Sequence, residues 1–264
     1  MTYWILLLLC FVIYILPCLP LKIFAGDTKG RTTNIFVFFG LLFHAGLIYH
    51  TTFLTGIDLN FANSLLITSW IGILLYLVIN SSGQHKGFEF LTFVPAIFFL
   101  VINPLMSGHN YLNETFSTIA ILHIVIALLG YSLLAFGALF SIFLLYVEQN
   151  VRTKKINTKM FSSTTSILQL ENNLFRIYWF GFLLLTITLI SGSFFSDKIF
   201  HSLLVINHKL IFSICAWLIY AILLLGRIFF GWRGKKAIKF SLIAFIFLFL
   251  AYFGSKFVIE ILLP

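Results

Sequence analysis

The amino-acid sequence predicts an all-α fold, a polytopic transmembrane helix bundle, from its composition, its hydropathy and the lengths of its apolar segments. Hydrophobic residues make up 61% of the 264 residues and charged residues only 9%, whereas a soluble domain is about one quarter charged. The mean hydropathy is +1.06. Apolar runs of about 20 residues, the length that crosses a bilayer as a helix, recur along the chain. We therefore predict a single integral membrane helical domain over residues 1–264.

Short polar segments divide the chain into eight predicted spans. Pro17 and Pro20 end the first span, and Pro95 lies inside the fourth, where neighbouring helices can satisfy the freed backbone groups. The N-terminal segment lacks the basic residues and small-residue cleavage site of a signal peptide, so we expect it to be retained. The fifth span is longer than a bilayer requires, and we expect it to tilt or project. The predicted spans are residues 3–21, 34–53, 61–79, 88–106, 118–146, 174–195, 207–230 and 237–259.

The distribution of Lys and Arg predicts the orientation of these spans. Of the Lys and Arg residues that lie between the predicted spans, nearly all are in the loops after the first, third, fifth and seventh spans, and none is in the loops after the second and fourth. Cytoplasmic loops carry the basic excess, so both termini are predicted to face outward across a bacterial inner (cell) membrane. The formal charge of +9 then reflects topology and contact with lipid headgroups, and no nucleic-acid partner is predicted.

Several function classes lack their sequence motifs here. The chain has no CxxC or CxxCH, the spacings typical of zinc sites, redox pairs and covalent c-type haem attachment. It also has no P-loop, G-x-S-x-G or HExxH, the motifs of nucleotide-binding proteins, hydrolases and zinc proteases. The scarcity of acidic residues within the spans argues against a proton-coupled transporter. The cysteines, all within apolar runs, are Cys10, Cys18 and Cys215.

Three histidines, His44, His123 and His208, lie within or at the mouth of apolar segments. An ionisable side chain in a membrane span is costly and usually marks a functional site. With a rise of about 1.5 Å per residue, His44 lies near mid-membrane, whereas His123 and His208 share a depth near the outer surface. Two histidines on facing helices can hold a haem iron axially. We therefore predict His123 and His208 as axial ligands and His44 as a possible deeper site.

Each of these histidines also has a simpler interpretation. His123 can make an ordinary interhelical hydrogen bond, His208 can be an interfacial histidine in water beside Asn207 and Lys209, and His44 can be a satisfied core histidine. The remaining histidines lie near loops, and we expect them to be solvated. They are His50, His85, His109 and His201.

The helix face that continues from His123 carries small residues, including Ala127, Gly130 and Ala138. Small residues on one face allow a neighbouring helix to approach closely, or they leave room for a flat ligand. Trp217 follows His208 on the seventh span and can either line the same cavity or pack ordinarily.

Several stretches resemble a known family. They are FHAGLIYH, LHIVIALLGYSLLAFGALFSIFLLYVEQ and the segment that begins HKLIFSICAWLIY, with the motifs HK-x7-W-x2-Y, GWRG and AYFGSK. These resemble the small cytochrome c assembly membrane proteins of the HemX/YpjD type. That group belongs to a broader haem-handling superfamily that includes the CcsA and CcmC cytochrome c biogenesis proteins.

The resemblance implies non-covalent binding of haem b by histidines, some on the outer side and others within the membrane. His123, which precedes LLGYS, is similar to the first outer histidine, and His44 is similar to the histidine of an early transmembrane helix. His208 is assigned by depth. Lys209 and Lys256 are expected to pair with the haem propionates. The implied partners are haem, the lipid bilayer and other cytochrome biogenesis proteins.

The chain also departs from the superfamily pattern. The tryptophan-rich WWD segment that presents haem is absent, a late transmembrane histidine is replaced by residues 225–227, and YFGSKFVIE stands where a second outer histidine is expected. These departures favour haem binding or an accessory role over a haem-ligation enzyme. The alternatives are a small-molecule permease and a structural membrane partner of a larger complex without haem.

Overall fold

The computed structural model is helical along nearly all of the part of the chain that it describes. That part comprises residues 2–19, 29–54, 57–80, 85–86, 88–106, 118–153, 162–163, 166–200 and 208–254. The helices are α1 (Thr2–Ile15), α2 (Lys29–Ile48), α3 (Phe61–Ile79), α4 (Phe88–Ile102), α5 (Thr118–Arg152), α6 (Ile167–Phe200), α7 (His208–Phe230) and α8 (Gly234–Phe249). Two short antiparallel strands, β1 (His85–Lys86) and β2 (Ser162–Ser163), pair with each other.

Within the described ranges, seven helices are long and apolar enough to cross a membrane. The first apolar helix, over Thr2–Cys18, is shorter. The predicted all-α transmembrane bundle is confirmed, and the eight predicted spans agree broadly with these eight helices. The outward orientation of both termini stays a prediction.

The sixth helix begins earlier than the hydropathy indicated. It starts at Ile167, within a polar segment that precedes the predicted span at residue 174. Its first turns carry Glu171, which is buried although it lies outside the apolar run. A hydropathy pattern locates apolar surface, so it does not detect a helical turn whose polar residue is paired inside the protein.

The chain divides into two compact units. The first comprises Met1–Leu112 and Tyr146–Ile167, and the second comprises Asn113–Leu145 and Leu168–Pro264. The single domain over residues 1–264 stays a prediction.

The first unit is a ring of four helices. Helix α1 packs on α2 and α4, and α3 packs on the same two neighbours. Aromatic rings fill the centre: Phe93 lies 5.7 Å from Tyr14 and 4.9 Å from Tyr76 between ring centroids. Such pairs bury large apolar area in specific edge and tilted geometries, so they fix how the helices meet.

A chain of amide hydrogen bonds ties one end of the first unit together. The Asn60 side chain caps α3 by accepting from the Asn63 backbone N–H at 2.8 Å. The Asn103 amide donates to Asn63 Oδ1 at 3.0 Å, and the Tyr3 hydroxyl donates to Asn103 Oδ1 at 3.0 Å. The starts of α1 and α3 and the turn after α4 are thereby joined through polar groups that would be costly to leave unpaired in an apolar setting.

Glycines bring α5 and α6 into close contact in the second unit. A Cβ atom placed on Gly137 would lie 2.6 Å from Tyr178 Cε1, and one on Gly181 would lie 2.5 Å from Leu134 Cδ2. Gly130, on the small-residue face predicted from the sequence, packs against Leu184 in the same way. At Gly130 this face therefore serves helix packing and leaves no gap for a flat ligand.

The GWRG motif forms the tight turn between α7 and α8. Gly231 and Gly234 have positive φ angles of 61° and 54°, a conformation that glycine adopts without steric cost. The turn folds Trp232 back onto α7, where its backbone N–H donates to the Gly226 carbonyl at 3.1 Å. The motif singled out in the sequence is thus a structural turn.

An ion pair between a buried carboxylate and a partly buried guanidinium fixes this turn to α6. A guanidinium nitrogen of Arg227 lies 3.7 Å from Glu171 Oε2, and the Gly234 N–H donates to Glu171 Oε1 at 2.8 Å. Glu171 therefore balances one cation and caps the first turn of α8, where the helix dipole favours a negative charge. The Arg227 guanidinium also lies over the Phe175 ring, 4.6 Å from its centroid.

Replacing Gly226 by alanine should destabilise the second unit. A Cβ atom at this buried position would overlap the Trp232 indole, and overpacking of this kind costs about 1–3 kcal/mol. We expect Gly226→Ala to lower the thermal unfolding midpoint of the purified protein in detergent. Gly46→Ala is the matched control, because its Cβ would meet Leu6 only at 3.7 Å. Equal midpoints for the two variants would contradict the packing described here.

Candidate functional site

His44 is fully enclosed in the first unit. Its side chain on α2 has 0% exposure, and its Nδ1 lies 3.3 Å from the Tyr14 hydroxyl on α1. Gly40, one turn earlier, lets the tyrosine ring approach, since a Cβ there would lie 2.7 Å from Tyr14 Cε1. His44 Nε2 has no hydrogen-bond partner within the described part of the chain. The imidazole is therefore oriented through one nitrogen and leaves the other unused.

His123 lies on α5 in the second unit and contacts α6. Its Nδ1 is 2.7 Å from the Ser191 hydroxyl oxygen, a short hydrogen bond that fixes the plane of the ring. The imidazole is partly exposed, unlike that of His44. The Lys209 ammonium on α7 is close enough for an electrostatic interaction with it. His123 on α5 thus contacts α6 and interacts electrostatically with a residue of α7.

Two tyrosines extend this group. Lys209 Nζ lies 5.6 Å from the centroid of the Tyr252 ring, which is 5.1 Å from the Tyr131 ring. We call the residues His123, Ser191, Lys209, Tyr131 and Tyr252 the His123 cluster. It combines an imidazole, an ammonium group and aromatic faces at one end of the second unit.

His208 is the first residue of α7, and its side chain is exposed. Because Lys209 follows it directly and interacts with His123, His208 lies at the same end of the second unit as the His123 cluster. His44 belongs to the first unit. The structure therefore groups His123 with the helix end that carries His208.

Trp217 packs between helices. Its indole N–H donates to the Thr186 hydroxyl at 2.9 Å, and its ring stacks on Phe182 with a centroid distance of 5.5 Å. The interpretation of Trp217 as an ordinary packing residue joining α6 and α7 accounts for these contacts.

Of the other residues named from the sequence, some lie within the described ranges and some lie outside them. The His50 ring lies 5.8 Å from the Tyr3 ring. The backbone of His85 is in β1, while its side chain falls outside the described part. Also outside the described residues are His109, His201 and Lys256.

Sequence reasoning missed Tyr14 and Ser191, the residues that orient His44 and His123. Ser191 has a signal, since SGS interrupts the apolar run of the sixth span, and a hydroxyl in such a run usually bonds within or between helices. Tyr14 has none that distinguishes it, because nothing in the sequence shows that α1 lies against α2 at this height.

Comparison with known proteins identifies the family. The model of the family described as "Cytochrome C assembly protein" matches residues 32–263. This chain belongs to the cytochrome c assembly protein family. The resemblance inferred from the sequence motifs is thereby confirmed.

Similar curated proteins come from bacteria and algae. The chain is 31% identical over 187 residues to "Inner membrane protein YpjD" of Escherichia coli (strain K12), covering 69% of this chain and 68% of the relative. It is 27% identical over 262 residues to "Cytochrome c biogenesis protein CcsA" of Mesostigma viride, covering 86% and 85%. A CcsA of Heterosigma akashiwo is 30% identical over 166 residues, 52% of each chain. With the spanning helices, these findings confirm the prediction of a multi-pass inner-membrane protein.

Removing the Tyr14 hydroxyl should destabilise the first unit. Tyr14→Phe leaves His44 Nδ1 buried without this partner, and an unsatisfied buried polar group costs about 1–3 kcal/mol. We expect a lower unfolding midpoint in detergent than for the wild type. Tyr49→Phe is the control, because Tyr49 is 60% exposed and should change little. A midpoint for Tyr14→Phe equal to that of the control would show that the contact contributes no stability.

Proposed function

We propose that this protein is an inner-membrane haem-binding protein that assists cytochrome c assembly or haem handling. The observation that carries the proposal is the His123 cluster, in which a partly exposed imidazole interacts electrostatically with Lys209, whose ammonium nitrogen lies 5.6 Å from the centroid of the Tyr252 ring. Membership of the cytochrome c assembly family and the names of the CcsA relatives support a role beside other cytochrome biogenesis proteins.

The chemistry of the cluster matches the three parts of a haem. The imidazole of His123 can bind the iron, and the ammonium group of Lys209 can pair with a propionate carboxylate through a charge-assisted hydrogen bond. The Tyr252 ring, which already faces Lys209, offers an aromatic surface to the macrocycle. A haem that is held only through histidine and its iron has no covalent link between the porphyrin and the protein. This is the b-type mode of binding, and a haem bound in this way can be released to an acceptor.

We assign His208 as the second axial ligand at this place. It is exposed at the start of α7, directly before Lys209, so its imidazole has freedom to turn toward the iron. The alternative for His208, an interfacial histidine in contact with water, predicts that its replacement leaves haem binding unchanged.

His44 is the proposed deeper site. Its Nε2, unused within the described part of the chain, is a buried polar atom of the kind that a ligand commonly satisfies. Because the side chain is fully enclosed, a haem can reach Nε2 only if neighbouring side chains move. We therefore assign the partly exposed His123 as the primary site and His44 as a separate, secondary one.

The proposal is tested by haem titration of the purified protein in detergent. The wild type should develop a Soret band with one tight site, and His123→Ala should lose it or bind at least about tenfold more weakly, because an iron ligand is removed. His208→Ala should shift the band through the loss of one axial ligand. His50→Ala is the control, since His50 contacts Tyr3 and lies outside the proposed site.

The outcomes of the haem titration distinguish among His123, His208 and His44 as ligands. A wild-type protein without a Soret band, or one whose spectrum is unchanged in His123→Ala, contradicts haem binding at this cluster. A loss in His123→Ala with no change in His208→Ala rejects His208 as a ligand. Loss of binding only in His44→Ala would move the primary site to the first unit.

A further inference from the structure

We propose that Ser191 is a positioning residue that holds His123 in one tautomer, with the proton on Nδ1 and the lone pair on Nε2. Gly192 lies against the adjacent edge of the imidazole, at Cε1. The proposal rests on the proposed function where it concerns iron, whereas the tautomer itself is a property of the protein without haem.

The Ser191 hydroxyl carries a single proton. Its oxygen lies 2.7 Å from the Ile187 carbonyl and 3.2 Å from the Thr188 carbonyl. Carbonyl oxygens only accept hydrogen bonds, so the hydroxyl proton is directed back along α6 to them. The same oxygen lies 2.7 Å from His123 Nδ1. With its proton committed, Ser191 meets His123 through an oxygen lone pair and accepts from the ring.

The ring must then donate from Nδ1. A neutral imidazole carries one N–H, so a proton on Nδ1 leaves Nε2 as the nitrogen with the lone pair. Nε2 is the atom that can bind a metal in this tautomer. Metal-binding histidines commonly donate their other N–H to a fixed acceptor, which sets both the tautomer and the ring orientation. Ser191 supplies such an acceptor from the neighbouring helix.

Gly192 lies next to the edge of the His123 ring that joins the two nitrogens. A Cβ atom at Gly192 would lie 3.5 Å from His123 Cε1, which is ordinary van der Waals contact. Alanine therefore fits against the ring, whereas a longer side chain would extend past Cε1, the atom bonded to Nε2, and crowd the approach to that nitrogen. Ser191 and Gly192 thus act on adjacent parts of the same imidazole.

The tautomer can be measured without haem. Protein with ring-¹⁵N-labelled histidine, in detergent at pH about 8.5, roughly two units above the ordinary imidazole pKa, gives separate signals for protonated and unprotonated nitrogens. The His123 signals are identified by their loss in His123→Gln. We expect Nδ1 protonated in the wild type, both tautomers populated in Ser191→Ala, and the wild-type state recovered in Ser191→Thr. Ser132→Ala is the control, because that hydroxyl donates to the Leu128 carbonyl on α5.

Haem affinity gives the second readout. Loss of a group that orients a metal-binding histidine typically weakens metal binding 10- to 100-fold, so we expect the haem Kd to rise by about that factor in Ser191→Ala and to recover in Ser191→Thr. Gly192→Leu should also weaken binding, whereas Gly192→Ala should not.

Each result either supports or overturns the role of Ser191 in setting the His123 tautomer. A wild-type proton on Nε2, or a tautomer unchanged in Ser191→Ala, overturns the proposal. Weaker haem binding in Ser191→Ala with an unchanged tautomer also overturns it, since Ser191 would then act through packing. If the wild type binds no haem, the proposed function fails, while the ¹⁵N comparison still accepts or rejects Ser191 as the group that selects the tautomer.

Discussion

Polar side chains inside an apolar bundle need partners, and this requirement sets the way the helices face one another. The imidazoles of His44 and His123 each bond to a hydroxyl on a neighbouring helix. The indoles of Trp70 and Trp217 behave likewise, since Trp70 donates to the Leu41 carbonyl at 2.9 Å and Trp217 to Thr186. Each bond fixes the rotation of one helix against another, because an unpaired polar group in an apolar interior costs more than the bond itself contributes.

The environments of His44 and His123 differ in exposure and in the charge nearby. His44 has 0% exposure and lies in an aromatic core, so any ligand there would be isolated from water. His123 is partly exposed and interacts electrostatically with the Lys209 ammonium group. The division into two units places these environments in different sets of helices.

The fold was predictable because the bilayer imposes length and hydropathy on each span. The third and seventh helices, Phe61–Ile79 and His208–Phe230, begin and end within a residue of the positions that hydropathy gives. Helix α6 was not predictable in the same way, since its first turns are polar and form because Glu171 pairs with Arg227 and Gly234. Such a pairing joins residues far apart in sequence, and no local pattern reports it.

The residues of the candidate site likewise fall into those that the sequence indicates and those that only packing reveals. His123 and His44 were identified because an ionisable residue is conspicuous in an apolar run, and His208 because depth along a helix is simple to count. Their partners were not identified: Ser191 and Tyr14 are ordinary residues whose role appears only once the helices are placed side by side. Motif reasoning was least informative at GWRG, where glycines with positive φ angles form a turn.

The double anchoring of α6 has a consequence for how the second unit can move. Glu171 near the start of the helix and Ser191 twenty residues later both bond to neighbouring helices, at points about 30 Å apart along the axis. Sliding of α6 by a single residue, about 1.5 Å, would stretch both bonds together. Axial displacement of α6 is therefore resisted at two points at once, by Gly234 at the start of α8 and by His123 on α5.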